Sequence, residues 1–206
     1  MAMTPPAPRP VLDAVFRWVA AGSVFGILFV AVLRLAPEPA SALDLAIGRT
    51  GGERLHVALG LGQARYPLET ARTGPAIDLA LFEGRVVFVN FWATWCPPCL
   101  TELPSLLDLA SARAAEGLVI VAVSSDDSWD AIEAFVQSLG PGKIPKNFRI
   151  VRDPSPPADR DLKSRFGTRK LPESYLVRNG VVEVKYVNAR DWTDPDVLAT
   201  IDLLSR

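Results

Sequence analysis

Apolar positions recur along this chain in two rhythms, and each predicts its own kind of element. Val86 to Trp92 is a near-continuous apolar run, the pattern of a strand covered on both faces. Leu118 to Val123 is a second such run. Between them Leu100, Leu103, Leu107 and Ala110 return at helical spacing. Pro97 and Pro98 suit the first turn of that helix, where missing N–H groups cost little, and Gly117 marks its stop. Pro104 lies inside it and predicts a kink. Strand, helix, strand in this order predicts a parallel pair joined by a right-handed crossover.

Downstream the same reading continues. Asp127 or Ser128 caps a helix that carries Trp129, Ile132, Val136 and Leu139 on one face, closed by Gly140-Pro141-Gly142. Phe148 to Val151 is a short strand, and Pro157 to Phe166 a short helix ending at Gly167. Tyr175–Val177 and Val181–Val187 flank Asn179-Gly180, a type I′ hairpin signal. Val182, Val184 and Tyr186 alternate with Glu183 and Lys185, so one face of the second arm is wet. Asp194 and Pro195 open a last helix with Val197, Leu198, Ile201 and Leu204. Upstream, Arg54 to Leu59 reads as a strand and Gly60-Leu61-Gly62 as a turn, with β-hairpin material completed by Ala76–Phe82.

The N-terminus differs in kind. Trp18 to Leu33 is sixteen residues without a charge, bracketed by Arg17 and Arg34. As a helix it spans roughly 24 Å, short of the ~30 Å hydrocarbon core, and snorkelling arginines extend it from Ala14 to Leu35. That predicts a membrane anchor. Ala40-Ser41-Ala42 also reads as a signal-peptide cleavage site. Either reading exports the bulk of the chain. The expected organisation is residues 1–35 as anchor or signal, 36–53 as linker and 54–206 as one folded domain.

Candidate chemistry centres on Trp95-Cys96-Pro97-Pro98-Cys99, which holds the only two cysteines among 206 residues. A strand that ends in Cys-x-x-Cys and turns into a helix points Cys96 at the helix N-terminus. Unpaired N–H groups and the helix dipole there favour a thiolate, the species that attacks disulfides. The residues therefore predict a thiol–disulfide oxidoreductase. No spare cysteine exists for a structural bridge. Zinc normally takes four ligands, and the single histidine, His56, lies forty residues upstream, so no metal and no cofactor is expected. The same histidine leaves no Ser/His/Asp constellation to build. A net charge of −1 gives no footprint for nucleic acid.

The segment Asn90 to Cys99 resembles the active-site signature of the thioredoxin superfamily, and in particular the exported TlpA/ResA/CcmG group of membrane-tethered proteins. The likeness covers roughly residues 76–206, including Glu102 in Cys99-Leu100-Thr101-Glu102-Leu103-Pro104 and the segment Leu171-Pro172-Glu173-Ser174. It implies an α/β thioredoxin-like fold: a central mixed β-sheet flanked by helices, with an inserted α/β element and an N-terminal β-hairpin, preceded by one transmembrane helix. It implies Cys96 as nucleophile and Cys99 as resolving thiol, the two forming a redox-active disulfide. Pro172 is then a cis-proline facing the pair, presenting the Leu171 backbone to an extended substrate segment. The superfamily's buried aspartate is replaced here by Asn90, which cannot titrate. Glu102, three residues after Cys99, becomes the natural proton shuttle. Glu173 adds a second negative group that selects substrates, tunes the redox poise or is simply solvated. Trp95, Pro97 and Pro98 complete the substrate face, with Trp92 packed beneath, and Ser124–Asp127 is read as a helix cap.

The activity so implied is reduction of disulfides in apocytochrome c or another exported protein. The protein would sit at the inner membrane, facing the periplasm, and draw on a transmembrane thiol donor of the DsbD/CcdA kind. Two alternatives use the same cysteines: a thiol peroxidase, with Thr94 beside Cys96, and a non-enzymatic copper or haem carrier.

Overall fold

A computed structural model of the chain describes residues 40–59, 79–152 and 162–206. In chain order the elements are α1 (Ala42–Arg49), β1 (Glu53–Ala58), a 3-10 turn (Leu79–Phe82), β2 (Val86–Trp92) and α2 (Pro97–Ala112). They continue with β3 (Val119–Ser124), α3 (Trp129–Leu139), β4 (Phe148–Arg152) and α4 (Leu162–Arg165). The chain closes with β5 (Glu173–Arg178), β6 (Val181–Val187) and α5 (Pro195–Leu204).

The two apolar runs form the middle of the sheet. β2 and β3 are buried along their whole length and pair in parallel, Val87 opposite Val119 through Trp92 opposite Ser124. β4 extends the parallel half. β5 lies antiparallel on the other side of β2, and β6 and β1 follow, giving the order β1-β6-β5-β2-β3-β4. The β5–β6 hairpin turns at Asn179 and Gly180, both with positive φ (51° and 74°), as the Asn-Gly signal requires.

Because side chains alternate along each strand, every central strand feeds two cores. Phe88 and Trp92 of β2, Leu176 of β5 and Tyr186 of β6 face α1, α2, α3 and α5. Val87, Val89, Phe91, Tyr175 and Val182 face the opposite way, toward α4 and the 3-10 turn. The first core is tied by Trp192, fully buried and edge-on to both Phe88 and Tyr186. Asn147 holds the end of α2 to the start of β3 through bonds to the Ala110 and Leu118 carbonyls (2.8 and 2.9 Å).

Two expectations change. Residues 36–53 do not form a plain linker, since Ala42–Arg49 is a helix that packs on α5. Its start is a capping box: Ser41 Oγ accepts from the Asp44 amide (3.1 Å), and the Asp44 carboxylate accepts from the Ser41 amide (3.2 Å). The small-residue triplet at Ala40–Ala42 thus stands at a helix entrance. Second, β1 pairs with β6 rather than with a neighbouring N-terminal strand, and Leu79–Phe82 is a 3-10 turn, so no N-terminal hairpin forms among the described residues. β1 carries a bulge between Arg54 and Val57, with His56 at φ 51°. Of the helix expected over Pro157–Phe166, the described residues include α4 at Leu162–Arg165. The expected anchor at Ala14–Leu35, the turn at Gly60–Gly62, residues 76–78 and residues 157–161 lie outside the described residues. Among the described residues no helix is long and apolar enough to cross a membrane.

Gly52 joins α1 to β1 at a close approach: a Cβ there would sit 2.6 Å from the Tyr186 ring and 3.1 Å from Ile47 and Val184. Gly52→Ala should lower stability by about 1–3 kcal/mol through overpacking, read as a shifted denaturant midpoint with unchanged slope.

Candidate functional site

The site grows from the C-terminal end of β2. The turn that leaves it is fastened to the loop after β3 by a small buried polar cluster. The Ser125 amide donates to the Trp92 carbonyl (2.8 Å). Asp126, 5% exposed, accepts from the Thr94 amide (3.0 Å), the Thr94 hydroxyl (2.6 Å) and the Ser124 hydroxyl (2.7 Å). Ser128, one of the two residues expected to cap α3, occupies the cap position without a side-chain cap bond, and Asp126 of the acidic loop braces the turn before Cys96. Sequence reasoning missed this role, which depends on a residue thirty-two positions away.

Cys96 is the N-cap residue of α2, and its carbonyl accepts from the Cys99 and Leu100 amides (3.0 and 3.2 Å). Pro97 and Pro98 fill the first two helical positions and are exposed. Cys96 and Cys99 are joined as a disulfide, 5% and 2% exposed. Trp95 stands beside them with 65% of its surface open to solvent, whereas Trp92 is buried beneath the turn against Phe135 (ring centroids 5.5 Å apart). In this setting the helix N-terminus favours negative charge on the Cys96 sulfur once the bridge is opened.

Register brings the second segment to the same end of the sheet. Phe91 lies opposite Glu173 in the antiparallel β2–β5 pair, so Leu171 and Pro172 fall where β2 gives way to the cysteine turn. The Leu171–Pro172 bond is cis. Leu171 packs against the core that contains both cysteines, and the Pro172 carbonyl accepts from the Asn188 amide (3.1 Å).

Glu102 lies one turn beyond Cys99 and is buried, with 3% exposure. Three donors converge on its carboxylate. Asn90 Nδ2 binds Oε1 (3.0 Å), Trp192 Nε1 binds Oε2 (2.9 Å) and the Arg190 amide reaches Oε2 (3.4 Å). Asn90 also donates to Ser174 on β5 (2.9 Å), its partner across the sheet. Burial pushes the Glu102 carboxyl from its ordinary 4.5 up to about 7, against the opposing pull of the Trp192 and Asn90 hydrogen bonds. A carboxyl tuned to that range exchanges protons readily near neutrality.

Glu173, expected to meet a substrate or solvent, is turned inward with 3% exposure. Its carboxylate accepts from the Tyr175 hydroxyl (2.7 Å) and pairs with Lys185 (3.2 Å). The Tyr175 hydroxyl also meets the Thr168 hydroxyl (2.8 Å), so this network ties the loop before Pro172 to the strand after it. His56 stays apart from the site, exposed on β1 and 3.0 Å from Glu183.

Two outcomes follow from this geometry. Glu102 holds its proton more tightly in the folded chain than in the unfolded one, so folding takes up a proton between pH 4.5 and about 7. Stability should therefore fall as pH rises through that window and level off above it, by on the order of 3 kcal/mol, and Glu102→Gln should flatten the slope in denaturation measured at several pH values. Asp126→Ala leaves the Thr94 amide and hydroxyl without their acceptor. It should cost about 1–3 kcal/mol and slow alkylation of the reduced Cys96, measured by stopped-flow thiol labelling.

Comparison with known proteins places the chain. The AhpC/TSA family model matches residues 66–185. The thiol-disulfide oxidoreductase ResA of Bacillus subtilis is 33% identical over 114 residues, 55% of this chain and 59% of the relative. ResA of Halalkalibacterium halodurans is 30% identical over 131 residues, 64% of this chain and 69% of the relative. The chain thus spans a little over half the length of the Bacillus relatives it matches. Among solved structures, a thioredoxin-family thiol:disulfide interchange protein from Chlorobium tepidum TLS superposes with a TM-score of 0.55 at 19% identity, over 75% of this chain and 99% of that one. MTB dsbF, solved in mixed oxidized and reduced forms, gives 0.53 at 26% identity over 71% and 98%. The sheet order, the cysteine turn at the end of β2 and these matches agree: the fold is thioredoxin-like, and the chain belongs to the AhpC/TSA family.

Proposed function

We propose that this protein is an exported thiol:disulfide oxidoreductase that reduces disulfides in other exported proteins. One observation carries the reading: the Cys96–Cys99 disulfide sits at the N-terminus of α2, beside exposed Trp95, with buried Glu102 one turn behind it. The ResA relatives, named for thiol-disulfide oxidation and reduction, support it.

The working cycle starts from the dithiol. The Cys96 thiolate attacks one sulfur of a substrate disulfide, and the other substrate sulfur leaves as a thiolate that takes a proton from water. Cys99 then loses its proton to the Glu102 carboxylate. Its thiolate attacks Cys96 Sγ, the bond from Cys96 to the substrate breaks, and the substrate departs with both sulfurs reduced. The chain is left with the Cys96–Cys99 bridge, and a thiol donor must supply two electrons to reopen it. Trp95, Pro97, Pro98 and the Leu171–Pro172 backbone form the docking face, the last by strand-like pairing. Glu173 acts from behind that face, through Tyr175 and Thr168. A transmembrane donor of the DsbD/CcdA kind, an apocytochrome c substrate and an N-terminal anchor at the inner membrane complete the proposal.

Peroxide reduction fits less well. The Thr94 hydroxyl that a peroxidatic pocket would use is committed to Asp126, and Cys96 has an immediate partner in Cys99.

Replacing Cys99 by Ala removes the resolving thiol and should leave substrates covalently held on Cys96 in the native host. Identification of the trapped species by mass spectrometry should return exported proteins with cysteine pairs. Recovery of no mixed disulfide, together with rapid peroxide turnover by the unaltered chain, would overturn the reading.

A further inference from the structure

A protein substrate that covers Trp95, Pro97, Pro98 and Pro172 also closes that face to water. The resolving step nevertheless has to dispose of the Cys99 proton while the substrate is still attached. The structure offers a second way out. A cleft of about 520 Å³ opens beside α2, between Thr101, Pro104, Ser105 and Asp108 on one wall and Ala189, Arg190, Asp191 and Thr193 on the other. Glu102 also lines it and is the one buried member of that lining, so it forms the floor. None of Trp95, Pro97, Pro98, Leu171 or Pro172 borders the cleft.

We infer that this cleft is a proton outlet for Glu102, separate from the face where substrate docks. The inference rests on the acid–base role given to Glu102 above. In the resolving step the Cys99 S–H bond breaks and its proton becomes the Glu102 O–H. The Cys99–Cys96 bond forms as the Cys96–substrate bond breaks. Glu102 then returns its proton to water in the cleft, where Asp108 and Asp191 stand exposed at the rim. The walls are held in place. Ser105 Oγ accepts from the Trp192 amide (3.1 Å), and the Arg190 guanidinium donates to the Thr50 and Val187 carbonyls while lying over Tyr186 and Trp192.

The test uses the full reduced chain in single turnovers with insulin, which covers the docking face, and with hydroxyethyl disulfide, which does not. Asp108→Trp and Ala189→Trp plug the cleft from opposite walls. Each should slow resolution of the insulin mixed disulfide about tenfold or more, leave its formation unchanged, and alter turnover of hydroxyethyl disulfide less than twofold. In the unaltered chain, imidazole should accelerate resolution with insulin bound, whereas a bulky buffer of similar pKa should not. This second measurement decides the matter if the tryptophan variants do not fold. Equal effects on both substrates, no effect of either plug, or equal response to both buffers would overturn the outlet. Glu102→Gln separates the two ideas: if it leaves resolution unchanged, the acid–base reading falls and the outlet with it. If it slows resolution while the plugs do not, only the outlet falls.

Discussion

The burial of one carboxylate organises this molecule. Glu102 sits between β2, α2 and the segment that follows β6, and a donor reaches it from the first and last of these. An unpaired charge in that position would cost several kcal/mol, so the donors are needed for the carboxylate form to exist at all. The same donors fix neighbouring pieces. Trp192 reaches Glu102 from a position edge-on to Phe88 and Tyr186, so the same ring packs the first core. Asn90 reaches it while also bonded to Ser174, its partner across the β2–β5 pair. Fold and acid–base chemistry are here consequences of a single arrangement.

Around that centre the sheet does the positioning. A parallel neighbour on one side of β2 delivers Ser124 and Asp126 to the cysteine turn, and an antiparallel neighbour on the other delivers Pro172. Two buried polar clusters, one at Asp126 and one at Glu173, Tyr175 and Thr168, hold the loops on either side of the cysteines. Loops that carry chemistry are usually the mobile parts of a fold, and these are braced by buried and part-buried hydrogen bonds.

What was legible in the sequence was what is local. The Cys-x-x-Cys turn, the Asn-Gly hairpin and the Asp194-Pro195 helix start each depend on residues within a few positions, and the structure places all three as read. The position of Glu102 on α2 followed from helical spacing. Its partners did not, because Trp192 is ninety residues away and nothing in its own neighbourhood announces a carboxylate. The inward turn of Glu173 depends in the same way on Lys185 in the next strand. Helix α1 was hidden for another reason: Ser41 and Asp44 spell a capping box, but the small residues around Ser41 also suit a peptidase. One local pattern carries two meanings, and the helix becomes visible only through its packing against α5.

The bulge in β1 has a consequence beyond its own strand. A sheet margin with open amides invites a copy of itself to dock and propagate, the first step toward fibrils. Between Arg54 and Val57 the pairing slips, His56 adopts a left-handed backbone, and charged side chains crowd the rim at Glu53, Arg54 and Glu183. A second molecule cannot extend a regular ladder across that interruption. The irregularity thereby works against edge-to-edge association along β1.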